Sequence, residues 1–387
     1  MSRHHSHIAS AINIIVSASA GEPLAHHLKK FFAADKKFGS KDRKAIASLC
    51  YNYYRLGNAL NDKTAEERIL AGCFLCSSER SDLLEDRAPE LNEKIHWSRE
   101  KKLAFLKVTD DDIFLFRKEL SSEINDAGFI SSFSKQPLFF LRIRPGKAVK
   151  ILEKLAAAKT AFTEISTSCI AMPPASKTDE LIRLNKDAVV QDLNSQQVFN
   201  YLLQDGVFLP EEAVVWDCCA GSGGKSILLY DLLHGHAELH VSDVRENILH
   251  NLRNRFRDAG IKNYRVFIAD PTEENYKQPE KKFDLIICDV PCTGSGTWAR
   301  NPEQLVFFDK KNTVRYAEQQ KKIATNVVKA LKPGGLFFYI TCSVFQKENE
   351  AVAEYIRSAC GLKLLEMQYL KGYNDRSDTM FTAVFSN

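Results

Sequence analysis

Two short cysteine motifs, DVPCTG around Cys292 and YITCS around Cys342, lie fifty residues apart, and each follows an apolar run that reads as a buried strand (IICDV and LFFYI). Both thiols are therefore expected just past strand ends in polar, turn-forming surroundings. A third element, VVWDCCAGSGGK from Val214 to Lys225, is another apolar strand that breaks into a glycine-rich turn. Ligands of open α/β sheets bind at the carboxyl ends of strands, so the three elements should meet on one edge. A nucleotide-type cofactor beside two thiols points to covalent catalysis.

The glycine turn excludes two common cofactor loops. The first glycine of a Walker A motif would fall at Cys219, and the sixth position of a dinucleotide fingerprint is Ser226 instead of glycine. A short glycine turn preceded by an acid suits S-adenosylmethionine, which has no pyrophosphate to cradle and needs close backbone approach. Asp243, at the end of the next strand, is placed for a ribose diol, and Asp270, ending the third, for an adenine amine. Either acid alone reads more simply as a cap or turn residue; the two at successive strand ends behind a glycine turn read as ligand contacts.

With that cofactor, one chemistry a cysteine serves is methylation of carbon 5 of cytosine, a poor nucleophile that needs prior activation. A thiolate adds to carbon 6 and turns carbon 5 into an enamine-like nucleophile for the sulfonium methyl group; loss of the carbon-5 proton then expels the thiol. Cysteines are common in buried strands, and Cys218, Cys219, Cys288 and Cys360 read as structural. Cys292 and Cys342 stand apart by position, and Asp289 adds a carboxylate for the amino group and ring nitrogen of a base rotated out of its stack. Chemistry alone does not decide which thiol attacks.

Around these motifs, residues 196–387 alternate strands and helices as a parallel sheet requires. Strands are expected at Ala213–Trp216, Leu239–Ser242, Tyr264–Ile268, Leu285–Cys288 and Leu336–Ile340, with Phe381–Phe385 closing the sheet, and helices at Lys225–Leu233, Arg245–Ala259 and Val314–Leu331. Residues 137–195 read as a small α+β module: a strand in LFFLRIRPG, a helix over Ala148–Lys159 and a strand over Ala161–Ile170. Residues 1–130 carry helical periodicity, as in Ile46, Leu49, Cys50, Tyr53 and Tyr54.

The chain of 387 residues, 44% hydrophobic and 26% charged, is of ordinary globular composition and long for one core. Its net charge of +4 permits nucleic-acid binding through local patches without demanding it. No run of about 20 apolar residues is present, so no membrane span is expected. The apolar stretch near the start, interrupted by Asn13 and Ser17, reads as a helix from Ile8 to Leu28 instead of a leader. Ten unevenly spaced cysteines suit a reducing cytoplasm, and the CFLC pair (Cys73, Cys76) reads as two small hydrophobes on a helix face, so no metal is expected. Lys29, Lys30, Lys36, Lys37, Lys41, Arg43 and Lys44 form a basic run that charge alone assigns to a solvated helix surface. Nothing in the sequence calls for an oligomer.

DCCAGSGGKS, DVPCTGSGTWARNPE, YITCSVFQKENEAVAEYI and VVQDLNSQQV together resemble the RNA cytosine-C5 methyltransferases of the RsmB/Sun/Nop family over residues 137 to 385. The paired PC and TC cysteines are the specific part. The resemblance implies a class I methyltransferase fold with a mostly parallel seven-stranded sheet, S-adenosylmethionine as cofactor and RNA as partner. It implies that Cys342 is the nucleophile, that Cys292 assists product release, and that Cys219, Ala220, Gly221, Ser222, Gly223, Gly224, Lys225, Asp243, Asp270 and Asp289 form the cofactor pocket, with Asp289 also touching the base. Gly221-Ser222 departs from the family's Ala-Pro, and Trp298-Ala299 departs from its pattern after the PC pair.

SKDRKAIASLCYNYYRLGNAL resembles the NusB-like RNA-binding domain of the family's ribosomal-RNA branch, and LFFLRIRPGKAVKILEKL its RRM-like module. These resemblances favour small-subunit ribosomal RNA over transfer RNA as substrate. The contrasting class is a non-catalytic RNA-binding assembly factor, which intact cysteines and acids argue against. Basic residues Arg142, Arg144, Lys147, Arg300, Lys310, Lys311 and Arg315 flank the site and suit RNA phosphates, although any one of them alone reads as a solvated charge.

Overall fold

The computed structural model describes residues 3–387 other than 36, 274 and 277. Lys36 of the basic run thus lies outside the described residues. The chain forms two compact units.

The first unit comprises the chain up to Leu120, Asn125–Gln136 and, from far along the sequence, Trp298–Lys310. It is helical. The stretch expected to be one helix from Ile8 is two, Arg3–Ser17 and Leu24–Ala34, because the turn at 18–23 carries Gly21 at φ +96° and a proline, Pro23, ahead of the second. Helices Ser40–Arg55 and Ala65–Cys76 cross at Gly72, where a Cβ would stand 2.2 Å from the Asn52 carbonyl oxygen. The second of these starts at a reciprocal cap: Thr64 accepts from the Glu67 amide, and Glu67 accepts from that of Thr64. Cys73 and Cys76 lie on it, burial pushing their thiols up to about 11 and about 12, and no group of metal-ligating side chains occurs among the described residues. Trp298 sits edge-on to Phe114 and Phe116 in this unit, 1% exposed. The residue that departs from the family pattern after the PC pair is thus a core side chain of the helical unit.

The second unit holds two sheets. The smaller is antiparallel, in the order β2-β3-β1-β4, from β1 (Phe139–Ile143), β2 (Thr163–Ser166), β3 (Cys169–Met172) and β4 (Ala188–Val190). The single strand expected over Ala161–Ile170 is in fact the hairpin β2–β3, turned at residues 167–168. Helix Ala148–Ala157 seals one face with Ile151 and Leu155 against Leu141, Ile143 and Ile170.

The larger sheet has seven strands: β5 (Ala213–Asp217), β6 (Ala237–Asp243), β7 (Tyr264–Ile268), β8 (Phe283–Asp289), β9 (Leu331–Thr341), β10 (Lys363–Leu370) and β11 (Met380–Ser386). Their order is β10-β11-β9-β8-β5-β6-β7, parallel from β7 through β9 and antiparallel on both sides of β11. All five parallel strands expected from the sequence are present. Phe381–Phe385 is a strand too, but an inner one: β10, half-exposed along most of its length and without a period-two apolar pattern, takes the edge. Fully apolar runs such as Leu285–Cys288 form the central strands because helices cover both faces. The order reverses at β5, which pairs β6 on one side and β8 on the other, and this opens a crevice at the carboxyl ends of those strands.

Candidate active site

The glycine turn leaves β5 at Asp217, where Oδ2 accepts from the Ser226 hydroxyl at 2.6 Å and fastens the strand end to helix Gly224–Leu232. Asp217 is 2% exposed, and burial pushes its carboxyl up to about 7. Gly223 has φ +80°, and a Cβ there would lie 2.7 Å from the Phe256 ring. Glycine is required at this position on both counts. A Cβ on Gly221, at φ +51°, would meet only Arg245 Nη2 at 4.0 Å, an ordinary contact, so its backbone angle alone restricts the choice of residue.

Asp243 closes β6. Its Oδ2 accepts from the Gly221 amide at 2.9 Å and from Arg245 Nη2 at 3.1 Å; its Oδ1 accepts from the Arg245 amide at 3.0 Å and Nε at 2.9 Å. Burial would raise this carboxyl, but the hydrogen bonds from Arg245 outweigh it and hold it below the usual range. Asp270, after β7, is an Asx turn, its Oδ1 accepting from Thr272 N at 2.9 Å and Oγ1 at 2.6 Å. Asp243 and Asp270 line one cavity of about 480 Å³ with Gly221, Asp289 and Pro291. Acids at three successive strand ends around a glycine turn are the acceptors that the ribose hydroxyls and amino group of an adenosine-bearing ligand require, so the residues present fit S-adenosylmethionine. Arg245 already occupies Asp243, and a ribose diol would have to displace that half-exposed guanidinium.

The thiols meet because β8 and β9 run parallel with Asp289 beside Ile340, which brings the chain beyond each strand end together. Cys292 Sγ and Cys342 Sγ are 3.4 Å apart. The hydrogen bond with Cys342, together with burial, pushes the Cys292 thiol well up. Gly296 N donates to the Cys342 carbonyl at 2.8 Å, and a Cβ on Gly296 would stand 2.1 Å from the Thr379 carbonyl oxygen, so the turn after the PC motif needs glycine to pass.

A buried carboxyl, Glu348, ties the two thiol-bearing turns together. It accepts from the Thr293 amide at 2.9 Å, the Thr293 hydroxyl, the Ser343 hydroxyl at 2.5 Å and Gln320 Nε2 at 3.2 Å. Burial raises its pKa against the effect of these donors. The neighbouring Asn349 takes Thr341 Oγ1 at 2.6 Å and donates to the Ser343 carbonyl at 2.8 Å. Sequence reasoning quoted the ENE segment without assigning these two residues; two acids and an amide directly after a thiol turn were the available signal. It also missed Arg245.

Lys225 Nζ lies 2.6 Å from Asp289 Oδ2. Burial would lower this ammonium, but the Asp289 carboxylate outweighs it and holds it above the usual lysine range. Lys225, Asp289, Cys342 and Gly221 line a second cavity of about 350 Å³, which reaches Gln191 and Arg255. Gly221 and Asp289 border both cavities, so the two share a wall. Of the residues expected at the site, Ala220, Ser222 and Gly224 line the second cavity and Cys219 the first, while Gly223 shapes the turn from behind. Of the flanking basic residues, Arg315 lines the first cavity, Arg142 and Arg144 are engaged with Asp231, and Lys310 pairs with Glu119 in the helical unit.

Residues 207–380 match the family described as 16S rRNA methyltransferase RsmB/F. Among curated proteins, the chain is 27% identical over 228 residues to a probable ribosomal RNA small subunit methyltransferase B of Synechocystis, covering 57% of this chain and 50% of that protein. It is 30% identical over 152 residues to the human tRNA (cytosine(72)-C(5))-methyltransferase NSUN6, covering 36% and 32%. The chain thus spans about half the length of the curated small-subunit methyltransferase B relatives it matches. Among solved structures, PH0851 superposes over the whole of both chains with a TM-score of 0.72 at 16% identity. A methyltransferase homolog from Pyrococcus horikoshii superposes with a TM-score of 0.59 at 21% identity, over 74% of this chain and 98% of that one. The fold of these structures is the fold found here. Over residues 207–380, a little under half of its length, the chain is thus similar to the RsmB/F methyltransferase family.

Proposed function

We propose that this chain is an S-adenosylmethionine-dependent RNA cytosine-C5 methyltransferase acting on small-subunit ribosomal RNA. The observation that carries the reading is the thiol pair, 3.4 Å apart just past adjoining strand ends, whose Cys342 lines a cavity that shares Asp289 and Gly221 with the crevice of three acids. S-adenosylmethionine, when bound there, supplies an electrophilic methyl group.

Cys342 Sγ attacks carbon 6 of the cytosine, forming an S–C bond and placing the electron pair at carbon 5. Asp289 accepts from the exocyclic amino group, and Lys225, held against it, keeps positive charge beside the attacking sulfur. After methylation, loss of the carbon-5 proton restores the ring's double bond as the S–C bond breaks. Cys292, buried and adjacent, assists this release.

The names of the small-subunit relatives support ribosomal RNA. The likeness to NSUN6 favours transfer RNA as the second reading. The test is nucleoside mass spectrometry of separately digested small-subunit rRNA, large-subunit rRNA and tRNA, taken from a strain lacking the gene and treated with the protein and S-adenosylmethionine. New 5-methylcytidine in the small-subunit fraction supports the proposal. Its appearance only in tRNA transfers the reading to that substrate, and none in any fraction favours a non-catalytic assembly factor.

A further inference from the structure

Arg255 lines the same cavity as Cys342, Lys225 and Asp289, yet nothing in the chemistry above uses it. Its Nη1 donates to Ser222 O at 3.0 Å and Ser222 Oγ at 2.6 Å, and its Nε donates to Asn185 Oδ1 at 3.0 Å. All three acceptors are neutral. Nη2 makes no hydrogen bond, and no carboxylate lies within ion-pair distance among the described residues. Ser222 is one of the two positions where the glycine turn departs from the family's Ala-Pro. A proline would offer no hydroxyl, so the departure adds one of the three hydrogen bonds that hold this guanidinium.

The surrounding charge is unbalanced in the same sense. Arg142 and Arg144 both pair with one acid, Asp231, at 2.6 and 2.7 Å. Arg142 is 5% exposed in its side chain, and its Nη2 is buried without a partner. Two guanidiniums thus share one carboxylate, and Arg255 has none of its own. Burial, reinforced by the charge of Arg142, lowers the pKa of Arg255, the mark of a cation whose lost hydration nothing anionic replaces. Asp192 and Asp378 also line the cavity; Asp192 accepts from the amides of Asn194 and Asp378. Lys225 is paired with Asp289, so Arg255 is the lining cation without a carboxylate partner among the described residues.

We propose that Arg255, tethered by Ser222 and Asn185, binds a backbone phosphate of the RNA strand that delivers the target base to Cys342. This rests on the RNA-methyltransferase reading above. A guanidinium fixed through Nε and Nη1, with Nη2 unused, presents a preset donor to a phosphate oxygen.

The test uses the full chain and a fluorescent single-stranded oligoribonucleotide containing cytosine, with binding followed by anisotropy over a range of monovalent salt. Each phosphate contact on a single strand contributes about 0.7 to the slope of log affinity against log salt. Arg255→Gln, which keeps a hydrogen-bonding group near Ser222 but removes the charge, is expected to lower the slope by about 0.7 and raise KM for RNA about tenfold. Arg255→Lys should keep the slope, and S-adenosylmethionine affinity by calorimetry should stay at the wild-type value in both. An unchanged slope in Arg255→Gln overturns the assignment, as does a loss confined to cofactor affinity, which would make Arg255 a brace for the glycine turn. A wild-type chain that binds the oligoribonucleotide with no salt dependence would instead overturn the RNA reading itself, and this proposal with it.

Discussion

Lys225 Nζ and Asp289 Oδ2 are 2.6 Å apart across the gap between the glycine turn and the end of β8; Asp289 borders both cavities and Lys225 the one that Cys342 lines. The lysine side chain is 13% exposed and the aspartate 31%, so solvent screens the pair only in part. Removing one partner leaves the other charge partly desolvated and unpaired.

Lys225→Met should therefore destabilise the protein by about 1–2 kcal/mol, and the double variant Lys225→Met/Asp289→Asn should recover most of that loss. Urea unfolding of the four proteins of this cycle measures the coupling. A double variant no more stable than Lys225→Met would show that the pair does not act as one. The single variant should also slow alkylation of Cys342 at neutral pH, because a positive charge next to the sulfur is lost.

The thiol pair makes opposite predictions for its two members. Cys342→Ser should abolish methylation with S-adenosylmethionine binding retained. Cys292→Ala should let a covalent protein–RNA adduct accumulate, visible on a denaturing gel. Adduct from Cys342→Ala instead would reverse the roles.

Glu348 is the acceptor for four donors drawn from both thiol-bearing turns and Gln320. Glu348→Ala removes the shared acceptor, leaving the Thr293 amide without its carboxylate partner, and a loss of about 3 kcal/mol or more is expected. At a temperature where the variant remains folded, methyl transfer should still fall by at least about tenfold, because the two thiol-bearing turns lose the carboxyl that ties them together. Thermal unfolding together with transfer of labelled methyl groups reads both effects. Wild-type turnover in a folded Glu348→Ala would remove this residue from the positioning of the thiols.

Asp217 gives a pH signature. Its folded-state carboxyl is pushed up to about 7 by burial, against about 4 in an unfolded chain. Between these values the native state holds a proton that the unfolded state has lost. The stability Asp217 contributes is complete below about pH 4 and is lost as the pH rises through about 7. Relative to wild type, Asp217→Asn should therefore gain about 2–3 kcal/mol between pH 5 and pH 8, read by urea unfolding at the two pH values. A pH-independent difference would mean the carboxyl titrates normally.

Much of the site was legible in the sequence because its parts are local. A run such as Leu285–Cys288 is apolar at every position because both faces of its strand are buried, and the residues after it must then sit at a strand end. Asp243, Asp289, Cys292 and Cys342 were placed at or just past strand ends that way, each from its own ten-residue neighbourhood. What sequence could not supply was any relation that depends on two distant segments closing on each other. The approach of the two sulfurs follows from the register of β8 against β9, and the Glu348 node from a turn beyond it. Trp298–Lys310 directly follows the PC turn yet belongs to the helical unit, because its aromatic side chains are buried there. Arg255, unremarkable within an amphipathic helix, acquires a meaning only where folding removes water from it and provides no carboxylate in return. Periodicity and turn chemistry are properties of neighbours along the chain, and they fixed the elements; charge balance and sulfur separation are properties of neighbours in space, and only the tertiary structure decided them.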